Sequence, residues 1–86
     1  MKVLFHENAF KDYIDWQTQD KQTLKKINDL IKDISRHPFE GLGKPEALRH
    51  QLKGYWSRRI NHEDRLIYVI EGDSIIIISC KSHYEK

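Results

Sequence analysis

Leu66-Ile67-Tyr68-Val69-Ile70-Glu71-Gly72-Asp73-Ser74-Ile75-Ile76-Ile77-Ile78 is the stretch on which the fold turns. Two apolar runs rich in β-branched residues flank Gly72-Asp73, and glycine in the first loop position supplies the positive φ of a tight hairpin turn. A strand over 66–70 and another beginning at Ile75 are therefore predicted to pair antiparallel. Four isoleucines in a row predict that the second is buried on both faces. Towards the N-terminus, Asn61-His62-Glu63-Asp64 reads as a turn, residues 55–60 alternate as a further strand, and Leu48 and Leu52 mark a short edge strand. Alternation places Arg59 with Tyr55 and Ser57, and Lys81 and His83 with Ser79. It leaves Trp56, Ile60, Ile76, Ile78 and Cys80 for the other face.

The first half of the chain has a different period. Val3-Leu4-Phe5 reads as a short strand, followed by a helix whose apolar stripe is Phe10, Tyr13, Ile14 and Trp16. Asp20 suits an N-cap, and Leu24, Ile27, Leu30, Ile31 and Ile34 then recur at helical spacing until Pro38 ends the helix. Glycine and proline crowd residues 38–45, which makes that segment a loop leading to Glu46. A strand, a two-helix hairpin and an antiparallel meander together predict an α+β fold, one domain over 1–86, with the helices packed on one sheet face.

Composition narrows the function classes. A chain of 86 residues buries only about 60 to 65% of its unfolded surface, so its core is modest. Charged residues make up 33% and no apolar window approaches the length of a membrane span. No signal-peptide core follows Met1, and the expected location is the cytoplasm. The single cysteine, Cys80, lies in an apolar run and reads as a small hydrophobe. The net charge of +2 hides a cluster: Lys44, Arg49, Lys53, Arg58 and Arg59 stand against Glu46 alone, a local excess of four cations over 44–59. Such a patch attracts phosphate, although short basic runs are also common on solvated surfaces.

Nucleotide and metal motifs fail on inspection. Gly41-Leu42-Gly43 continues as Lys44-Pro45-Glu46, which lacks both the third glycine of a dinucleotide fingerprint and the hydroxyl of a phosphate loop. Five scattered histidines and one cysteine show no zinc spacing, so no metal and no cofactor is expected. What remains is Glu46, Arg49, Arg59, Arg65, His83 and Tyr84. Taken together they meet the needs of RNA cleavage through the 2′-hydroxyl: a carboxylate base, cations for a phosphorane, and a histidine whose pKa near 6.5 lets it donate a proton. Taken singly, Glu46 is a loop carboxylate, His83 a histidine near the C-terminus, and Arg65 a partner for Glu63 or Asp64.

Gly-Lys-Pro-Glu-Ala-Leu at 43–48, Gly-Tyr-Trp-Ser-Arg-Arg-Ile at 54–60, Arg-Leu-Ile-Tyr at 65–68 and His83-Tyr84 occur in that order. With the helical stretch at 25–33 and Pro-Phe-Glu-Gly at 38–41, they resemble the YoeB toxins of the RelE superfamily over essentially the whole length. The resemblance implies a RelE-like microbial RNase fold and a messenger-RNA endonuclease that works in the A site of the 70S ribosome. It also implies neutralisation by an acidic YefM-type antitoxin and leaves room for a homodimer. By the same resemblance Glu46 is the general base, Arg65 stabilises the phosphorane, His83 is the general acid and Tyr84 orients substrate. Arg59, Lys44 and Arg49 would hold phosphates. Arg49 stands where lysine is expected, which keeps the charge but alters the geometry. Lys81-Ser82 and the extension Glu85-Lys86 are further departures. The competing class is a binding module of the same fold, attached to ribosomal RNA or acting with its antitoxin as a co-repressor.

Overall fold

The isoleucine-rich hairpin lies near the middle of a five-stranded sheet in a computed structural model that describes residues 1–81 of the chain. In chain order the elements are β1 (Lys2–Phe5), α1 (Glu7–Gln19), α2 (Lys21–Arg36), β2 (Glu46–Ala47), β3 (Trp56–Arg59), β4 (Arg65–Glu71) and β5 (Ser74–Ser79), with a 3-10 turn at His50–Leu52. The strand order is β1-β5-β4-β3-β2. Neighbours from β2 to β5 are antiparallel as expected, whereas β1 runs parallel to β5 and makes the sheet mixed. After β1 the chain passes through both helices and re-enters at the opposite edge as β2.

Asp20 closes one helix and opens the next. Its backbone N–H donates to Trp16 O at 3.1 Å. Its carboxylate accepts from the backbone N–H groups of Gln22 and Thr23 at 3.0 and 3.2 Å and from the Thr23 hydroxyl at 2.9 Å. The Thr23 hydrogen bonds, side chain first, hold the Asp20 carboxyl below its ordinary pKa. The stripe expected of α2 is the one that packs: Ile27, Leu30 and Ile34 are fully buried, with Leu24 and Ile31 beside them. In α1 the expectation fails in part. Ala9 and Trp16 are buried and Tyr13 is half-buried, but Phe10 and Ile14 remain 53% and 45% exposed. Ala9, Tyr13 and Trp16 recur at helical spacing, so the small residue marks the face of close approach.

Two more expectations need correction. Residues 50–52 form the 3-10 turn, and the edge strand is the pair Glu46–Ala47 just after Pro45. In β5 the isoleucines alternate: Ile75 and Ile77 are fully buried, while Ile76 and Ile78 are half-buried. Opposite Ile67 and Tyr68 the register jumps from Ser79 to Ile77, which leaves Ile78 as an extra residue in a β-bulge. The bulge resets the alternation, so Cys80 joins Ile75 and Ile77 in the core, and the expected grouping with Ile76 and Ile78 does not hold. The Cys80 backbone accepts from the Trp16 indole at 2.8 Å and donates to Asp12 at 3.2 Å. Lys81 then turns to the helix side, 3.4 Å from Asp15 and over the Trp16 ring, instead of following Ser79.

Candidate functional site on the open sheet face

Both helices pack against the face carrying Trp56, Ile60, Leu66, Tyr68, Ile75 and Ile77. Among the described residues no helix lies over the opposite face, although Ser57 and Ile67 at its middle are buried. Register fixes what it displays: Glu46 pairs with Ser57, Ser57 with Ile67 and Ile67 with Ser79, so these four form one row across the sheet. Two residues further along β3, Arg59 pairs directly with Arg65 in the next row. Glu46 and Arg59 are exposed, and Arg65 is half-buried. Lys44 and Arg49 flank Glu46 along the chain and are exposed on the same sheet edge, with no ion pair among the described residues. Glu46, Arg59 and Arg65 are thus brought onto one face. His83 and Tyr84 lie outside the described residues.

The turn before β4 sets Arg65. Asn61 Oδ1 accepts from the N–H groups of Glu63 and Asp64 at 2.9 and 2.8 Å, which makes it an Asx turn. Three turn carbonyls, of Asn61, His62 and Asp64, then accept from one guanidinium nitrogen of Arg65 at 3.1, 3.3 and 3.1 Å. Arg65 is therefore held by carbonyl dipoles and forms no ion pair with Glu63 or Asp64. Its charge is left without a carboxylate among the described residues. Two like charges directly opposite on a sheet repel, and a bound phosphate removes that cost.

Arg58 has the opposite fate, and reading the basic cluster as one patch missed it. Alternation along β3 turns Arg58 to the helix side, where it is 0% exposed. It donates to Asp33 at 2.6 Å, to the carbonyls of Leu42, His37 and Glu40 at 3.1, 2.5 and 2.9 Å, and to the Tyr68 hydroxyl at 3.1 Å. The Tyr68 hydroxyl in turn donates a hydrogen bond to Pro38 O at 2.7 Å, and Asp33 accepts from Leu42 N–H at 3.0 Å. That Leu42 bond and then the Arg58 guanidinium hold the Asp33 carboxyl below its ordinary pKa, while burial pushes the Tyr68 hydroxyl up. The network pins residues 37–43, the segment that delivers Glu46. Gly43 leaves no room for a side chain: a Cβ there would meet Leu30, the Arg59 carbonyl and Arg58 within 3.2 Å, at φ +78°. The signal for Arg58 was present in the sequence, since it alternates with Trp56 and Ile60. With Arg58 withdrawn, the exposed cations over 44–59 are Lys44, Arg49, Lys53 and Arg59 against Glu46.

A concavity of about 320 Å³ lined by Arg36, His37, Pro38, Phe39 and Glu40 contains none of the candidate residues. Among the described residues no group of three His, Cys, Asp or Glu side chains could hold a metal ion, and no helix is long and apolar enough to cross a membrane. The open face offers a carboxylate beside two guanidinium groups, a pairing suited to a phosphodiester.

A family model described as the YoeB-like toxin of bacterial type II toxin-antitoxin systems matches residues 5–84. Toxin YoeB of Escherichia coli K12 is 54% identical over 84 residues, covering 98% of this chain and all of the relative. Toxin YoeB of Synechocystis is 54% identical over 86 residues and covers both chains completely. Among solved structures, the YoeB/ParE toxin from Agrobacterium tumefaciens superposes with a TM-score of 0.95 at 44% identity, over 98% of this chain and 100% of that one. The toxin in the heterotetrameric YoeB-YefM complex from Staphylococcus aureus superposes with a TM-score of 0.91 at 50% identity, over 98% of each chain. YafQ from Escherichia coli, 19% identical with a TM-score of 0.72, shares the fold.

Proposed function

The chain belongs to the YoeB-like toxins of bacterial type II toxin-antitoxin systems, and on that premise we propose that it is a ribosome-dependent endoribonuclease cutting messenger RNA in the A site. The observation that carries the chemistry is the Arg59–Arg65 pair, one row from Glu46 on the open face. Glu46 takes the proton of a ribose 2′-hydroxyl, and the freed oxygen attacks the adjacent phosphorus. Arg65, aimed by the turn carbonyls, and Arg59 stabilise the phosphorane. His83 protonates the departing 5′-oxygen, so the products are a 2′,3′-cyclic phosphate and a free 5′-hydroxyl. Lys44 and Arg49 hold neighbouring phosphates, and Tyr84 orients the substrate. No step requires a metal ion. The ribosome supplies orientation that a single small face lacks.

Solved relatives include a YoeB-YefM complex and a YoeB dimer from Staphylococcus aureus. A YefM-type antitoxin that lays an acidic segment over the Arg59–Arg65 face would neutralise this chain by charge and by exclusion of RNA. The setting is the cytoplasm, where ribosomes and antitoxin meet. The test is cleavage of a defined message by purified protein with and without programmed ribosomes, mapping the cut and its 3′ end. Cutting only with ribosomes and a cyclic phosphate at the end are expected. Ribosome binding without a cut would replace the enzyme with a binding module of the same fold.

A further inference from the structure

The row on the far side of Glu46 from the arginines is apolar. The hydrogen bond from Leu48 N to Tyr55 O, 2.9 Å, continues the β2–β3 ladder by one pair beyond Ala47–Trp56. Extending the β3–β4 register by one pair sets Tyr55 opposite Val69, and Val69 pairs with Ile76 and Ile76 with Leu4. Leu48, Tyr55, Val69, Ile76 and Leu4 therefore share the open face in a single row. Leu48, Tyr55, Val69 and Ile76 are half-buried and Leu4 is exposed. None belongs to the core or to the residues packed against it, whereas Trp56, one residue from Tyr55, stacks on Phe39 at 4.8 Å on the helix side.

Three consecutive rows thus present guanidinium groups, a carboxylate and an aromatic-aliphatic floor, in that order. Alternate residues on a strand are about 6.7 Å apart, so Arg59 and Tyr55 stand about 13 Å apart along β3 with Glu46 between them. A nucleotide presents a 3′-phosphate, a 2′-hydroxyl and a base in the same order. Building on the proposed cleavage, we infer that Tyr55 is the stacking platform for the base of the nucleotide whose 2′-hydroxyl attacks, with Val69 and Leu48 beside it. A phosphate on Arg59 and Arg65 and a hydroxyl on Glu46 leave that base over Tyr55. The platform makes this position a determinant of which codons are cut, since purines offer more area for stacking than pyrimidines.

The experiment compares cleavage of ribosome-bound messages that carry either a normal nucleotide or an abasic ribonucleotide 5′ to the cut. The abasic unit keeps its 2′-hydroxyl. On the intact message Tyr55→Ala should lower kcat/KM by about 5- to 150-fold, the range for loss of one base–aromatic stack, and Tyr55→Phe should stay near wild type. On the abasic message Tyr55→Ala and wild type should agree within about twofold, the scatter of independent effects. An equal loss on both messages, or no loss on either, overturns the platform, as does a Tyr55→Ala defect confined to antitoxin binding. Wild-type protein that fails to cut the intact message removes the proposed function and the platform with it. Wild-type cutting with an indifferent Tyr55→Ala removes the platform alone.

Discussion

Replacing Asp33 by alanine should cost about 3–5 kcal/mol of folding stability, because it strands the Arg58 guanidinium inside the protein. Arg58 is 0% exposed, and the carboxylate 2.6 Å away is its only ion-pair partner among the described residues. The same change deprives Leu42 N–H of its acceptor. A domain of 86 residues has roughly 4–13 kcal/mol in all, so the variant stands close to unfolding at room temperature. Urea unfolding followed by Trp fluorescence measures the loss. In thermal melts it should lower Tm by at least about 12 °C, at 4–8 °C per kcal/mol for a domain this size. Asp33→Asn, which keeps an oxygen for Leu42 N–H, should fall between the two. Arg58→Met with Asp33→Ala should recover about 0.5–3 kcal/mol relative to the sum of the single changes. A loss below about 1 kcal/mol for Asp33→Ala, the range of an exposed ion pair, would refute the clamp and mean that the carbonyls alone hold Arg58.

Glu46→Ala and His83→Ala should each slow cleavage by about 10² to 10⁴, with antitoxin binding retained in a pull-down; undiminished cutting by both would remove the acid-base assignment. Folding should weaken in acid through Asp33. Its carboxyl titrates below the ordinary 3.8 when folded, so the unfolded chain takes the proton first; the contribution is complete above that value and is lost as pH falls through the folded pKa. Urea midpoints between pH 7 and 3 should therefore fall more steeply for wild type than for Asp33→Asn, and parallel curves would contradict the assignment. Burial pushes the Cys80 thiol up to about 12, so alkylation at pH 8 should be slow in the folded protein and fast in urea; labelling at the rate of a free thiol would place Cys80 outside the core.

Periodicity made much of this fold legible. The spacing of Ile27, Leu30 and Ile34 gave the buried face of α2, Asp20 gave its cap, and Gly72-Asp73 gave the central hairpin. Three things were hidden for physical reasons. Ala9 has too small a side chain to mark a packing face by hydrophobicity, so spacing of large apolar residues points to Phe10 and Ile14 instead. A two-residue strand such as Glu46–Ala47 has no alternation to read. The bulge at Ile78 depends on partners across the sheet, so parity counted along β5 put Cys80 in the wrong company. Of the candidate site, Glu46, Arg59 and Arg65 were found through resemblance, and register then brought them to one face. Aromaticity alone marks both Tyr55 and Trp56 as able to stack a base, and register separates them by setting Tyr55 in a row with Val69 and Ile76.

Arg58 and Arg59 are neighbours in sequence on opposite sides of a sheet, and that gives genetic selections a signature. Cells that escape the toxicity of this chain by mutation at codon 58 should yield little folded protein and regain toxicity when grown cold or when a second mutation stabilises the fold. Escape at codon 59 should yield abundant, folded protein that no temperature or stabilising mutation reactivates. Adjacent codons thus separate two routes to resistance, one through protein abundance and one through loss of a working surface.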